Sequence, residues 1–332
     1  MKLVSIVVPV YNEEENLRHF YEAVCETMAP LKEYTFELVF VDDGSKDESR
    51  AILRELEKQD ERVQPIFLAR NSGHQLALTC GLDYAEGDAV ITMDGDMQHP
   101  PEMIPTLIQA WEEGYEVVQT VRVTTEGVSF LKKGTSALYY KILNMISSVP
   151  IQPGGSDFRL MDRIVVRAFR RYREHARFIR GLIASMGFRQ TKIEFVAPPR
   201  FAGVSKFSPR KMIHFAIDGI LAFSTLPLRF GLYAGVLSGF VSFCLFLHVL
   251  FVKYVENDAV PGWATILACI LFFGSVQLFI LGILGEYIGR IFEETKGRPL
   301  YLIARGKPKD EENGGPSAVG LPEGTRHSRR DA

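Results

Sequence analysis

Ala89-Val90-Ile91-Thr92-Met93-Asp94-Gly95-Asp96-Met97-Gln98 reads as an apolar strand that runs straight into two carboxylates bracketing a glycine. A short apolar run bounded by turn residues is the mark of a buried strand. Asp94 and Asp96 then project from its carboxyl end. A hard divalent cation, Mg²⁺ or Mn²⁺, takes oxygen ligands and keeps substrate phosphates in its shell. Gln98, two residues on, offers a further carbonyl oxygen. An Asp-x-Asp by itself is equally an ordinary turn, so its meaning depends on what surrounds it.

Working outward, residues 1–120 alternate β-branched runs with amphipathic stretches. Leu3–Val8, Glu37–Val41, Gln64–Leu68, Ala89–Met93 and Glu116–Val121 are expected strands. Glu14–Thr27, Asp47–Gln59, Gln75–Tyr84 and Pro101–Glu113 are expected helices. This alternation predicts an α/β domain with a mostly parallel sheet and helices on both faces. In such sheets the ligand lies beyond the carboxyl ends of the strands. Polar clusters follow several of them: Tyr11-Asn12-Glu13, Asp42-Asp43-Gly44-Ser45, Arg70-Asn71 and Asp94-Gly95-Asp96. All four are expected along one edge of the sheet. Asn12 is also suited to cap the following helix, and Gly44-Ser45 to close a turn. Tyr11 can stack on a base, Glu13 can bond a base or ribose, and an Asp after the second strand can accept from a base or join a metal shell.

The chain has 332 residues and a net charge of −2. Charge is unevenly spread. Arg159 to Lys211 is strongly basic, which points to phosphate ligands, an anionic membrane surface or nucleic acid. No nucleic-acid module accompanies it, and the apolar sequence that follows favours the membrane. Arg163, Arg167, Arg170, Arg171 and Arg173 are expected on a solvated or lipid-facing surface. Four cysteines, none in a CxxC or metal spacing, suit a reducing compartment. The N-terminus lacks the apolar length of a signal peptide and reads as the first strand.

Phe230–Val252 and Ala259–Gly285 hold no Asp, Glu, Lys or Arg. At 1.5 Å per residue each can cross a hydrocarbon layer of ~30 Å. Arg and Lys flank the pair on its outer sides, which places both termini and the α/β domain in the cytoplasm. Residues 206–229 are expected to form an amphipathic helix in the membrane interface. The expected division is therefore a domain at 1–205, that interfacial region, a two-helix membrane domain at 230–285, and a segment at 286–332 that is disordered after about 306. Glu286 is expected to pair with Arg290 at helical spacing.

Taken together, Val8-Pro9-Val10-Tyr11-Asn12-Glu13, Val41-Asp42-Asp43-Gly44-Ser45, Arg70-Asn71-Ser72-Gly73 and Asp94-Gly95-Asp96-Met97-Gln98-His99-Pro100-Pro101 resemble the successive motifs of family 2 glycosyltransferases. Ser156-Asp157-Phe158-Arg159-Leu160, Arg200-Phe201-Ala202-Gly203-Val204-Ser205-Lys206 and Gly285-Glu286-Tyr287-Ile288-Gly289-Arg290 extend the resemblance to the polyisoprenyl-phosphate group over about residues 3–303. The resemblance implies a GT-A fold, a UDP- or GDP-hexose donor, a polyisoprenyl phosphate acceptor and inversion at the anomeric carbon. It implies that Pro9, Tyr11, Glu13, Asp42 and Asp43 hold the nucleotide, and that Asp94, Asp96 and Gln98 surround the metal. It implies that Arg122, Arg159, Arg200 and Lys206 serve the acceptor phosphate. It places Asp157 near the reacting centre as a catalytic residue beside Asp94 and Asp96. One departure stands out: Ser72-Gly73-His74-Gln75, where relatives carry an aromatic and a basic residue.

A phosphate monoester acceptor is largely dianionic at neutral pH, its second pKa being ~6. It needs no base to become a nucleophile, so no carboxylate is expected to be an obligatory base, with Asp157 as the test case. A processive polysaccharide synthase is a rival reading, but such enzymes carry Gln-x-x-Arg-Trp, and neither Trp111 nor Trp263 stands in that context. A non-catalytic nucleotide-binding scaffold is a second rival, and one that has no need of the Asp94/Asp96 pair. Self-association as a homo-oligomer is left open.

Overall fold

The structure is a computed structural model that describes residues 1–123, 155–175, 177–196, 226–251 and 262–305. Its chain divides into two units. Among the described residues, the first unit holds those up to 196 together with 299–305, and the second holds 226–251 and 262–298.

The first unit opens with β1 (Lys2–Val10), α1 (Leu17–Met28), β2 (Tyr34–Asp42), α2 (Ser49–Gln59), β3 (Val63–Leu68), α3 (His74–Tyr84) and β4 (Ala89–Thr92). A 3₁₀ turn at Pro101–Met103 leads into α4 (Ile104–Glu112), followed by β5 (Val117–Arg122). After residues 124–154 come β6 (Gly155–Asp162), α5 (Arg163–Phe169), α6 (Ile179–Ser185) and β7 (Gln190–Phe195). All five strands and four helices expected before residue 121 are present, with ends shifted by a few residues. Pro101 supplies the largest change. Its ring fixes φ and removes a donor, so the segment starts as a 3₁₀ turn before settling into an α-helix.

The sheet order is β7-β5-β6-β4-β1-β2-β3-β8, the last strand being Ile303–Arg305. β4, β1, β2 and β3 run parallel, as do β5 and β7. β6 is antiparallel to both β4 and β5, and β8 is antiparallel to β3. Parallel strands buried on both faces need continuous apolar sequence. Val4, Ile6, Val7 and Val8 of β1 and Leu38, Phe40 and Val41 of β2 accordingly have no exposed surface. Because β4, β1, β2 and β3 are parallel, their carboxyl ends and the loops after them share one edge.

Two basic residues depart from expectation. Arg170 donates to the carbonyls of Leu82 and Ala85 at the end of α3, and Arg173 donates to Asp83 Oδ2 at 2.7 Å. A helix leaves its last carbonyls unpaired, and a cation there answers both the hydrogen bonding and the dipole. These side chains anchor α3 rather than forming a solvated face. The carboxyl-terminal segment also differs. Residues 299–305 belong to the first unit and add a strand to its sheet.

The second unit holds α7 (Leu226–Phe251) and α8 (Trp263–Thr295). Within α8, Phe272–Thr295 is long and apolar enough to cross a membrane, with a mean hydropathy of 1.5. It is the one such stretch among the described residues, and Tyr233–Cys244 of α7 is a shorter apolar one. Side chains such as Val236, Phe240, Phe272, Leu278 and Phe279 are exposed, an apolar display that a lone soluble helix pair rarely makes. Glu286 and Arg290 pair at 3.4 Å, as their spacing suggests. Arg200, Lys206, most of the interfacial region and the tail beyond residue 305 lie outside the described residues.

Candidate active site

The loops after β1 and β2 are laced to each other. Asn12, in the left-handed region at φ 54°, accepts Lys46 N through Oδ1 at 2.8 Å and gives its own N–H to Ser45 Oγ. Glu13 N bonds Ser49 Oγ. Asn12 therefore ties two loops together and does not cap α1, which begins five residues later at Leu17. Pro9, Tyr11 and Glu13 stay half-buried at the end of β1.

The acidic pair after β2 faces inward. Asp42 is wholly buried, accepts Arg50 Nε at 2.6 Å and receives Ser45 N. Asp43 is 3% exposed and accepts Ser72 N at 2.6 Å and Gly73 N at 2.9 Å. Burial pushes the Asp43 carboxyl up, against the lowering effect of those two N–H groups. Both carboxylates are committed to backbone and to Arg50, so they hold the loops after β2 and β3 in place. Gly44 follows them at φ 73°, pressed against the backbone of Arg70 and Asn71. Asp43 thereby fixes the loop that launches α3.

Asp94 and Asp96 follow β4 at the same edge and are both half-buried. Asp94 Oδ1 lies 3.6 Å from His74 Nε2, and Oδ2 lies 3.6 Å from His99 Nε2. Asp96 Oδ1 accepts Gln98 N. Met97 between them has φ 61°, a conformation costly for a side-chain-bearing residue and typical of sites held for function. His99 sits beneath. Its Nδ1 accepts Asp94 N at 2.8 Å, so the neutral ring carries its proton on Nε2 and donates to Ser156 Oγ at 2.7 Å. The ring stacks on Phe158 at 5.1 Å.

Asp157, on β6, is the most heavily bonded carboxylate of the site. Arg180 Nε reaches Oδ1 at 2.9 Å and Arg180 Nη2 reaches Oδ2 at 3.0 Å. Arg159 Nη2 adds a bond to Oδ1 at 3.1 Å, Gln75 Nε2 one to Oδ2 at 3.3 Å, and His74 Nε2 lies 3.5 Å from Oδ2. Burial alone would raise this carboxyl. Arg180, His74 and Arg159 outweigh it and hold Asp157 well below the usual carboxylate range. For His74 burial opposes the charge, but Asp157 and Asp94 push it up to about 9.

Arg159 is 1% exposed, and its Nη2 donates to Asp157 Oδ1 and to the Ser156 carbonyl. Arg122 is exposed at the end of β5. Sequence reasoning missed His74, Gln75 and Arg180, whereas His99 has the structural role that its sequence reading favoured over metal ligation. For the first two a signal existed: the Ser72–Gln75 departure marks the residues that meet Asp157. Gln75 also accepts Ile179 N, which joins the start of α6, and hence Arg180, to the same point.

The glycosyl transferase family 2 profile matches residues 5–170, which span the edge carrying these groups. The chain is 44% identical over 301 residues to the uncharacterized glycosyltransferase YkcC of Bacillus subtilis, covering 91% of this chain and 93% of that protein. It is 42% identical over 306 residues to the bactoprenol glucosyl transferase of Shigella phage SfV, covering 92% and 99%. This chain belongs to glycosyl transferase family 2. The glycosyltransferase has the GT-A-like α/β fold with a mostly parallel sheet. The GtrB C-terminal hairpin profile matches its residues 226–291, across α7 and most of α8. A prophage bactoprenol glucosyl transferase homolog of Escherichia coli is 40% identical over 304 residues, covering 92% and 99%. Glucosyl-3-phosphoglycerate synthase of Mycobacterium tuberculosis overlaps it with a TM-score of 0.42 at 16% identity, over 66% of this chain and 78% of that one.

Proposed function

We propose that this glycosyltransferase moves a hexose, glucose in the first instance, from a nucleotide-diphosphate sugar to a polyprenyl phosphate at the cytoplasmic face of a membrane. The supporting observation is the 42% identity to a bactoprenol glucosyl transferase over 92% of the chain, hairpin included. In this reading α7 and α8 are two membrane spans with both termini cytoplasmic, and UDP-glucose takes precedence over GDP-hexoses as donor.

Pro9, Tyr11 and Glu13 are the groups at the crevice edge suited to the nucleoside. Asp94 and Asp96, with Gln98 beside them, form a hard oxygen set that fits Mg²⁺ or Mn²⁺. A cation held by these two carboxylates would keep room for substrate phosphate oxygens. Bound there, the cation would neutralise charge on the departing nucleoside diphosphate.

The residues around Asp157 support a reaction without a protein base. Both of its oxygens are engaged by cations, and its pKa is depressed, which makes it a weak proton acceptor. The acceptor phosphate is already a nucleophile. Asp157 instead fixes Arg180 and His74 at the crevice, where their positive charge offsets repulsion between two anionic substrates. Arg122 is the exposed cation at the neighbouring strand end, and Arg200 and Lys206 retain the acceptor role proposed for them. In-line attack then inverts the anomeric carbon.

The test is an assay in membranes with labelled UDP- and GDP-sugars, supplied one at a time with undecaprenyl phosphate, followed by lipid extraction. Label from UDP-glucose in an acid-labile lipid is the expected result. Label found only in a polymer, or in no lipid with any donor, would defeat the proposal.

A further inference from the structure

The chain leaves the α/β unit before α7 and returns to it at Pro299, four residues after α8 ends. What the returning segment grips is specific. Leu302 O accepts Ala69 N at 2.8 Å, immediately after β3. Ile303 and Arg305 pair with Leu68 and Phe67. Tyr301, 2% exposed, donates its hydroxyl to Asp83 Oδ2 at 2.7 Å, near the end of α3. Asp83 is itself 2% exposed and takes a second donor, Arg173. Ala69 and Asp83 flank one stretch of chain: the loop 70–73 and the helix α3. That stretch carries Ser72 and Gly73, held by Asp43, and His74 and Gln75, which meet Asp157.

We infer that Pro299–Arg305 is a positioning segment for the active-site loop, with Tyr301 acting through Asp83 and α3 on His74 and Gln75. A buried carboxylate that loses a donor must relax toward another partner, and here the relaxation falls on the helix that presents two contacts of Asp157. α3 is buried from Ala77 to Asp83, so it moves as a body or not at all. Residues 299–305 thus belong with the catalytic unit. The inference rests on the crevice at Asp157 being the reacting centre.

The test uses the full-length protein in lipid nanodiscs. Y301F keeps the ring and removes the bond, and D83N keeps the side-chain shape. Hydrogen exchange of peptides covering 70–84 is read beside kcat and the KM for UDP-glucose. For Y301F we expect roughly tenfold faster exchange in 70–84, unchanged exchange in β1 and β2, and a kcat lowered several-fold with KM for donor unchanged. The Y301F/D83N double variant should lose little beyond D83N, which also frees Arg173. Exchange in 70–84 at the wild-type rate, or faster exchange without a fall in kcat, would overturn the inference. So would loosening spread over the whole sheet, which marks a purely structural bond. The exchange readout does not depend on which sugar or lipid is the substrate, so a wrong donor assignment and a wrong positioning role give different results.

Discussion

Arg180 spans both oxygens of Asp157, with Nε on Oδ1 at 2.9 Å and Nη2 on Oδ2 at 3.0 Å. A carboxylate clamped in this way by a planar fork is an anchor, because accepting a proton would break two charge-assisted bonds at once. The expected consequence is a variant that fails in level and not in pH profile. D157N should lower kcat/KM by about a hundredfold or more at every pH, since Arg159 and Arg180 are left without their anion. The acid limb near pH 6 that belongs to the acceptor phosphate should remain in both proteins. A limb seen in the wild type and missing from D157N would make Asp157 a base.

Linkage gives the same carboxylate a stability signature. Its folded pKa is depressed, so its contribution is fully present above the unfolded value of ~3.9 and is lost as pH falls through the folded one. Wild-type protein should therefore lose stability on acidification below about pH 4, and D157N, already weaker at neutral pH, should lose less over that window. Thermal melting at pH 3 to 7 reads the difference. Equal slopes for the two proteins would mean that Asp157 is not held as an anion.

Asp94 and Asp96 should behave as a pair. D94A and D96A are each expected to reduce turnover at least a hundredfold, and chelator should silence the wild type until Mg²⁺ or Mn²⁺ is restored. Mn²⁺ binding, followed by electron paramagnetic resonance in the presence of UDP, gives a readout apart from activity. His99 supplies a finer test. Because its Nδ1 fixes Asp94 N and its Nε2 is spent on Ser156, H99A should weaken Mn²⁺ binding about tenfold without removing an oxygen ligand. Unaltered Mn²⁺ affinity in H99A would show that Asp94 needs no such support.

The sequence made the sheet edge legible because parallel strands announce themselves. Runs such as Ile6-Val7-Val8 and Leu38-Val39-Phe40-Val41 are apolar on both faces, and the polar residues that follow mark strand ends. Periodicity speaks only of local burial, so it gave no sign that Asp42 and Asp43 would turn inward to Arg50, Ser72 and Gly73. The burial of Arg159 was illegible for a related reason. A charged side chain is expected at the surface unless it is paired, and its partner Asp157 is two residues away on the same strand and the same face. Arg180 and β8 were missed because their partners are distant in sequence: 23 residues separate Arg180 from Asp157, and 218 separate Tyr301 from Asp83.

Two glycines separate backbone strain from loop displacement. Gly44 and Gly187 have nearly the same φ, 73° and 75°, so an added Cβ costs each a similar conformational penalty of about 1–2 kcal/mol. Their surroundings differ. A Cβ on Gly44 would stand 2.6 Å from Asn71 N and 2.8 Å from the Arg70 carbonyl carbon, whereas one on Gly187 meets nothing within 4 Å. Backbone cannot swing aside as a flexible side chain can, so G44A must push the 70–73 loop away. That loop is seated by Asp43 through Ser72 N and Gly73 N, and it delivers His74 and Gln75 to Asp157. G187A is therefore expected to lower the melting temperature by a few degrees with turnover intact. G44A should lower it further and cut turnover at least tenfold, out of proportion to the lost stability. Should both variants lose activity only in step with their melting temperatures, the 70–73 loop would have no special part in placing the groups around Asp157.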